Sequence, residues 1–334
     1  MPSPFSFQSS GSIVPPYDIS GSDITITPLL PDDLSAVSHL TFPSYRVLLE
    51  KAVNTTNEKI LALVARSKGI PVGLVLAEPP SVMDNFSYNE KKNALKLISV
   101  MTDPQWRRRS IANALLQVLT QKSRDLGYVR LITGYTTKIK SLAAFEHLIA
   151  SSGWGAPVPS MELSIFRIGD METASWLDAV STPPPGYQLF TMDKITDEER
   201  VRINTDIAAG DIPENLSPFA EEEYLVPEIS VGLRSGGDIV AWMTLIRAPL
   251  VADALCYRTL FVHPKLRTAK GFGPLVAATA GKLHAASPIR KERPKGIFAT
   301  SFNSIKQLNF ARKRLNPHCF EIYESRKAQC NLQP

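Results

Sequence analysis

"TDPQWRRRSIANALL", Thr102 to Leu116, joins two apolar runs of different period through three consecutive arginines. Upstream, "ALKLISVMT" (94–102) reads as a strand. Downstream, "SIANALLQVLTQKSRDLG" (110–127) has apolar residues at helical spacing and a glycine at its end. Arg107, Arg108 and Arg109 therefore sit at a strand-to-helix turn. The first N–H groups of a helix lack an intrahelical acceptor, and the helix dipole is positive there. Cations and small residues at such a turn make a cradle for phosphate. The alternative is a solvated basic turn with no ligand.

Working outward, the elements before this turn read as a strand at "ITITPL", a helical stretch at "PDDLSAVSHL", and two strands, "ILALVARS" (60–67) and "PVGLVLAE" (71–78), joined by a turn with Lys68 and Gly69. After it come a strand, "YVRLITGYT" (128–136), a helix, "SLAAFEHLIASSGW" (141–154), and a strand, "SMELSIFRI" (160–168). Pro183, Pro184 and Pro185 break any helix in 170–187, which reads as a linker.

The order then repeats. "YQLFTMD", "TDEERVRINTDIAAG", a hairpin around Gly236 and Gly237, "ALCYRTLFVHP", "FGPLVAATAGKLHAA", "KGIFATSFN", "SIKQLNFARKRLN" and "CFEIYES" follow the same sequence of strands and helices. "VMTDPQWRRRSIANALL" lies over "FVHPKLRTAKGFGPLVA" at an offset of about 160 residues, each a strand, a proline, a basic turn and an apolar helix. The expected organisation is a flexible leader at 1–22, an N-terminal α/β unit at 23–169, the linker at 170–187 and a second unit at 188–334.

This arrangement resembles the acyl-CoA-binding motif of the GCN5-related N-acetyltransferase (GNAT) family, whose turn reads Arg/Gln-x-x-Gly-x-Gly/Ala after a strand and a proline. Arg107, Ser110 and Ala112 match the three positions in the first unit, with serine for the first glycine. In the second, Gly271 and Gly273 supply the small positions, and Thr268 stands where Arg or Gln is expected, with Arg267 one residue early. The resemblance implies an α/β (α+β layered) chain of two tandem GNAT-like domains, each a mixed, mainly antiparallel sheet flanked by helices. It also implies acetyl-CoA or a longer acyl-CoA as co-substrate. Val100, Met101, Thr102, Arg107, Arg108, Arg109, Ser110, Ile111 and Ala112 are the implied donor-binding residues, with Val262, Arg267, Lys270, Gly271 and Gly273 as the second-copy set. The first copy is favoured as the donor site for its intact loop length and its three arginines, although the second has the better glycines.

Acyl transfer from a thioester to an amine needs a proton acceptor for the amine, a donor to the developing oxyanion, and relief of the leaving thiolate. The family's acid tyrosine is replaced by Phe145 and Phe310 on the two matching helices. Tyr135 and Ser141 are the nearest substitutes, with a core-facing ring and a helix N-cap as their structural alternatives. Glu78, at a strand end, is the candidate base. Glu222, Glu223, Asp211, His147 and His263 read as surface or turn residues.

The resemblance thus implies an N-acyltransferase acting on a small amine, an amino acid or a peptide side chain. A fatty-acyl transferase using acyl-CoA or an acyl carrier protein is one alternative. A degenerate acyl-CoA sensor or scaffold is another. The net charge of +5 is dispersed, without the basic–aromatic interleaving of a nucleic-acid binder. Cys256, Cys319 and Cys330 form no CxxC pair, so reduced thiols, a cytoplasmic setting and no metal are expected. No apolar run is long enough to span a membrane.

Overall fold

The computed structural model describes residues 17–18, 23–54, 59–81, 86–173, 182–247, 251, 253–266 and 271–332. Within them thirteen strands form one mixed sheet. In chain order these are β1 (Tyr17–Asp18), β2 (Ile24–Pro28), β3 (Leu61–Ser67), β4 (Ile70–Glu78), β5 (Ala94–Thr102), β6 (Arg130–Thr136) and β7 (Val158–Arg167). The second half adds β8 (Tyr187–Thr191), β9 (Val231–Ser235), β10 (Asp238–Arg247), β11 (Ala254–Val262), β12 (Lys295–Ser301) and β13 (Glu321–Asn331). The principal helices are α1 (Arg46–Asn54), α2 (Ile111–Asp125), α3 (Leu142–Ser151), α4 (Asp197–Ala209), α5 (Phe272–Ala286) and α6 (Ile305–Phe310).

The spatial order is β1-β2-β3-β4-β5-β6-β13-β7-β12-β11-β10-β9-β8. All pairings are antiparallel except β5–β6 and β11–β12. The α/β layering expected from the sequence is therefore present twice. The last strands trade places, however: β13 pairs with β6, and β7, from the first unit in sequence, pairs with β12. The "CFEIYES" strand thus extends to Asn331 and completes the N-terminal half of the sheet. Tyr17 and Asp18, within the expected leader, pair with Ile26 and Thr25. Asp170–Thr173, at the start of the expected linker, forms one 3-10 turn; 174–181 lie outside the described residues.

Each half buries apolar side chains on both sheet faces. In the N-terminal half, Ile111, Leu115 and Leu119 of α2 pack on Leu63, Val75 and Leu97. On the opposite face Leu49 of α1 joins Leu40, Val64 and Leu76. Gly73 allows the first packing, because a Cβ there would stand 3.0 Å from Cγ2 of Ile111. In the C-terminal half, Leu275 and Val276 of α5 pack on Val231, Leu245 and Leu255. Ile203 of α4 meets Trp242 and Phe261 on the other face. Thr196 and Glu199 close α4 with a capping box, as its acidic first turn suggests. The helix expected over 304–316 is α6 followed by a π-helical turn at Ala311–Leu315.

Candidate active site

Both strand-to-helix turns bring an uncapped helix N-terminus to the end of a strand. In the first, Arg108 and Ser110 adopt positive φ of 61° and 58°. Ser110 is the N-cap of α2 and makes no side-chain capping bond. Arg107, Arg108 and Arg109 are exposed. Arg107 Nε donates to the Thr102 carbonyl at 3.4 Å, and the Arg109 guanidinium lies 4.7 Å from the Trp106 ring centroid. Thr102 Oγ1 is buried without a hydrogen-bond partner among the described residues. In the second turn Gly271 is the N-cap of α5, with φ of 130° and no side-chain capping bond. A Cβ on Gly273 would meet Val262 Cγ2 at 3.6 Å, so the helix start lies against the end of β11. Arg267 and Lys270 lie outside the described residues. Two free helix starts among small or basic residues fit a phosphate-bearing donor.

Behind each turn the sheet splits. β5 and β6 pair in parallel only from Ala94 to Lys96, and β11 and β12 only from Ala254 to Cys256. Beyond those positions the inward edges of β5 and β11 carry amide groups without ladder partners. The halves then differ. In the N-terminal half, Thr133 Oγ1 donates to the Leu97 carbonyl at 3.1 Å across the split. Ser152 Oγ donates to Asn113 Oδ1 at 2.8 Å, tying the end of α3 to the start of α2. In the C-terminal half the position beside the split is Phe298, and a cavity of about 1700 Å³ opens there. Gly273, Ala277 and Gly281 of α5 form one wall, Phe298 to Ser301 of β12 another, and Phe310 and Leu315 a third. Phe86, Glu90 and Lys327 bring the N-terminal half to its rim.

Tyr257 lines this cavity, with His284 buried behind it. Tyr257 packs at 5.3 Å from Phe166 and 5.2 Å from Phe298 by ring centroids, with its hydroxyl 3.2 Å from His284 Nδ1. His284 Nε2 faces the Arg293 carbonyl at 2.9 Å, so Nε2 carries the proton and Nδ1 accepts from Tyr257. Burial lowers the His284 pKa, consistent with this neutral form, and raises that of Tyr257. The next residue, Arg258, is a β-bulge, since Thr244 opposes Thr259 while Leu245 opposes Tyr257. Its Nε donates to Glu221 Oε1 at 3.0 Å. Glu221 is 8% exposed, and its Oε2 has no hydrogen-bond partner among the described residues. Burial raises the Glu221 pKa above the usual carboxylate value despite the attraction of Arg258. The neighbouring Cys256 thiol is pushed up to about 11 by burial and is not a thiolate nucleophile at neutral pH.

The catalytic candidates read from sequence have separate surroundings. The Tyr135 hydroxyl donates to Glu146 Oε1 at 2.9 Å, and Arg326 Nη1 donates to the same oxygen at 2.8 Å. Burial and this carboxylate both raise the Tyr135 pKa. Ser141 is the exposed N-cap of α3 and makes no capping bond. Glu78 ends β4 opposite Lys96, near enough to Tyr224 to raise the pKa of that phenol. Val100, Met101 and Thr102 line the inward edge of β5, with Ile111 buried and Ala112 partly buried at the start of α2. Val262 ends β11 beside Gly273. Sequence reasoning passed over Glu221, Tyr257, Arg258 and His284. One signal was available: an arginine in "CYRTLFVH" where the first copy has an isoleucine in "KLISVMT".

The paired, splayed sheet with a helix N-terminus at each split is a tandem-GNAT-like fold. Residues 30–148 of the chain match the model of the Acetyltransferase (GNAT) family, and the chain's fold throughout is tandem-GNAT-like. It is similar to a tandem GNAT protein from the clavulanic acid biosynthesis pathway, at 15% identity over 93% of this chain and 99% of that one, with a TM-score of 0.61. It is also similar to the GCN5-related glucosamine N-acetyltransferase region of a fungal multi-domain β-N-acetylglucosaminidase, at 14% identity and a TM-score of 0.64. That match covers 93% of this chain and 38% of the fungal one. A GCN5-related N-acetyltransferase from Sphaerobacter thermophilus matches at 13% identity over 93% and 96% of the chains, with a TM-score of 0.57. No curated protein matches the sequence. Among the described residues no helix is long and apolar enough to cross a membrane.

Proposed function

We propose that this protein is an acyl-CoA-dependent N-acyltransferase of two units, 23–169 and 188–334, that exchange their last strands, with its donor in the C-terminal one. The observation that carries this reading is the cavity running from Gly273, at the start of α5, through the β11–β12 split to Arg258. The N–H groups at the start of α5 suit the donor's pyrophosphate. The edge of β11 beyond Cys256, where its parallel pairing with β12 stops, suits the donor's pantetheine arm, and an amide there can hydrogen-bond the thioester carbonyl as it becomes an oxyanion. The amine then attacks the carbonyl carbon, the C–S bond breaks, the amide forms, and the amine proton leaves with solvent or the thiolate. The volume exceeds the ~300–1,000 Å³ of an ordinary ligand pocket, which suits joint occupancy by donor and acceptor or a long acyl group. An acyl carrier protein as donor and a peptide as acceptor are compatible with that width.

A second reading places the donor at Arg107–Ala112, favoured by the family match to 30–148 and by the three arginines. Calorimetry with acetyl-CoA, followed by thiol release with a panel of amines, tests the proposal. Binding with amine-dependent thiol release supports it. Absence of binding sinks it, and binding without release across the panel supports a sensor instead.

A further inference from the structure

We propose that Arg258 is a specificity-determining residue that reads an anionic group, of carboxylate type, on the acceptor, and that Glu221 is the positioning residue that holds it. The inference rests on the C-terminal cavity being the transfer site. Bulging takes Arg258 out of register with β10 where β11 parts from β12, so its side chain stands at the junction of strand and cavity. Glu221 engages only the Nε edge of the guanidinium. Its Nη groups have no hydrogen-bond partner among the described residues. A guanidinium fixed at one edge presents a fork whose geometry matches a carboxylate.

Two observations place this fork on the acceptor side rather than at the donor's phosphates. Arg258 lies four residues before Val262, or about 13 Å along a strand from the start of α5. Tyr257 reaches His284 of α5, whereas Arg258 pairs with Glu221 from the segment that follows α4, on the other face of the sheet. The N-terminal half supplies the contrast. Its bulge residue, Ile98, packs partly buried against the apolar cluster of Leu40, Val64 and Leu76, leaving no charge at the equivalent place.

The test uses the full chain with coenzyme A present and pairs of N-acetyl amino acids with their primary amides, spanning apolar, basic and acidic side chains. Calorimetry reads the affinities. At least one carboxylate should bind about tenfold more tightly than its amide. That preference should fall below about twofold in Arg258→Gln and be partly kept in Arg258→Lys. Glu221→Gln combined with Arg258→Gln removes the buried charge along with the fork, so loss of preference in that folded variant separates recognition from unfolding. Equal binding of acid and amide, no binding by any pair, or a preference that survives Arg258→Gln overturns the proposal. Failure of the protein to bind coenzyme A itself, while the carboxylate preference is present, counts against the donor site and not against Arg258.

Discussion

Ile98 and Arg258 occupy the same place in the two halves of the sheet. Each is the strand residue that the neighbouring antiparallel strand skips, two positions past the last parallel pair beside it. The isoleucine packs, partly buried, against an apolar cluster. The arginine is held by a carboxylate at the edge of a cavity. One fold thus carries a closed and an open version of the same bulge.

Exchanging the residue tests that difference. Ile98 is partly buried against the cluster of Leu40, Val64 and Leu76, so Ile98→Arg brings a guanidinium to that cluster's edge in place of an apolar contact. The change should cost about 0.5–3 kcal/mol. Urea denaturation should show that loss, with coenzyme A binding per folded molecule unchanged.

The donor site is tested at Gly273. A Cβ there meets only ordinary contacts, with Val262 at 3.6 Å and Leu260 at 3.7 Å, so Gly273→Asp should fold. Its carboxylate stands at the helix start against the donor's phosphates. Affinity for coenzyme A should fall at least tenfold, about 1.4 kcal/mol, by calorimetry. Arg107→Glu with Ser110→Asp should leave it within about threefold; the opposite pattern moves the donor to the N-terminal half.

Two buried carboxylate–arginine pairs should respond to pH with opposite sign. Burial opposes ionisation of Asp33, but bonds from Arg66 and from the Leu30 N–H outweigh it, so its pKa is lowered. Its contribution is present above the unfolded carboxylate pKa and lost as pH falls through the lower folded value. Glu221 has a raised pKa, because burial outweighs Arg258. Its contribution is complete below the unfolded pKa and lost as pH rises through the folded value. Melting curves from pH 3 to 8 should therefore show Glu221→Gln gaining on the wild type as pH rises. Asp33→Asn should be the weaker protein at neutral pH, by about 3 kcal/mol, with the gap closing in acid.

The exchanged strands make each half depend on the other's terminus. Without β13, β6 and β7 lose the strand between them, and both edges are left unpaired. A chain ending at Cys319 should be aggregated or unfolded by size-exclusion chromatography and circular dichroism. A peptide of residues 320–334 added during refolding should recover part of the folded fraction. Full retention of a folded monomer by the shortened chain would contradict the central position of β13.

Local chemistry made much of this protein legible from its sequence. Alternating apolar residues gave the strands, helical spacing gave α2 and α5, with a glycine closing α2, and the recurrence of strand, proline, basic turn and helix gave the doubling. Lys68–Gly69 and Gly236–Gly237 gave the hairpins. These depend on backbone preferences and burial within a few residues. What the sequence left open depended on partners far along the chain. Tyr135 faces Glu146 and Arg326; β13 crosses into the other half; Arg258 meets Glu221. A side chain's hydrogen-bond partner, and the burial that shifts its pKa, are set by packing between distant segments. That is why three arginines were visible in the sequence before the cavity at a fourth.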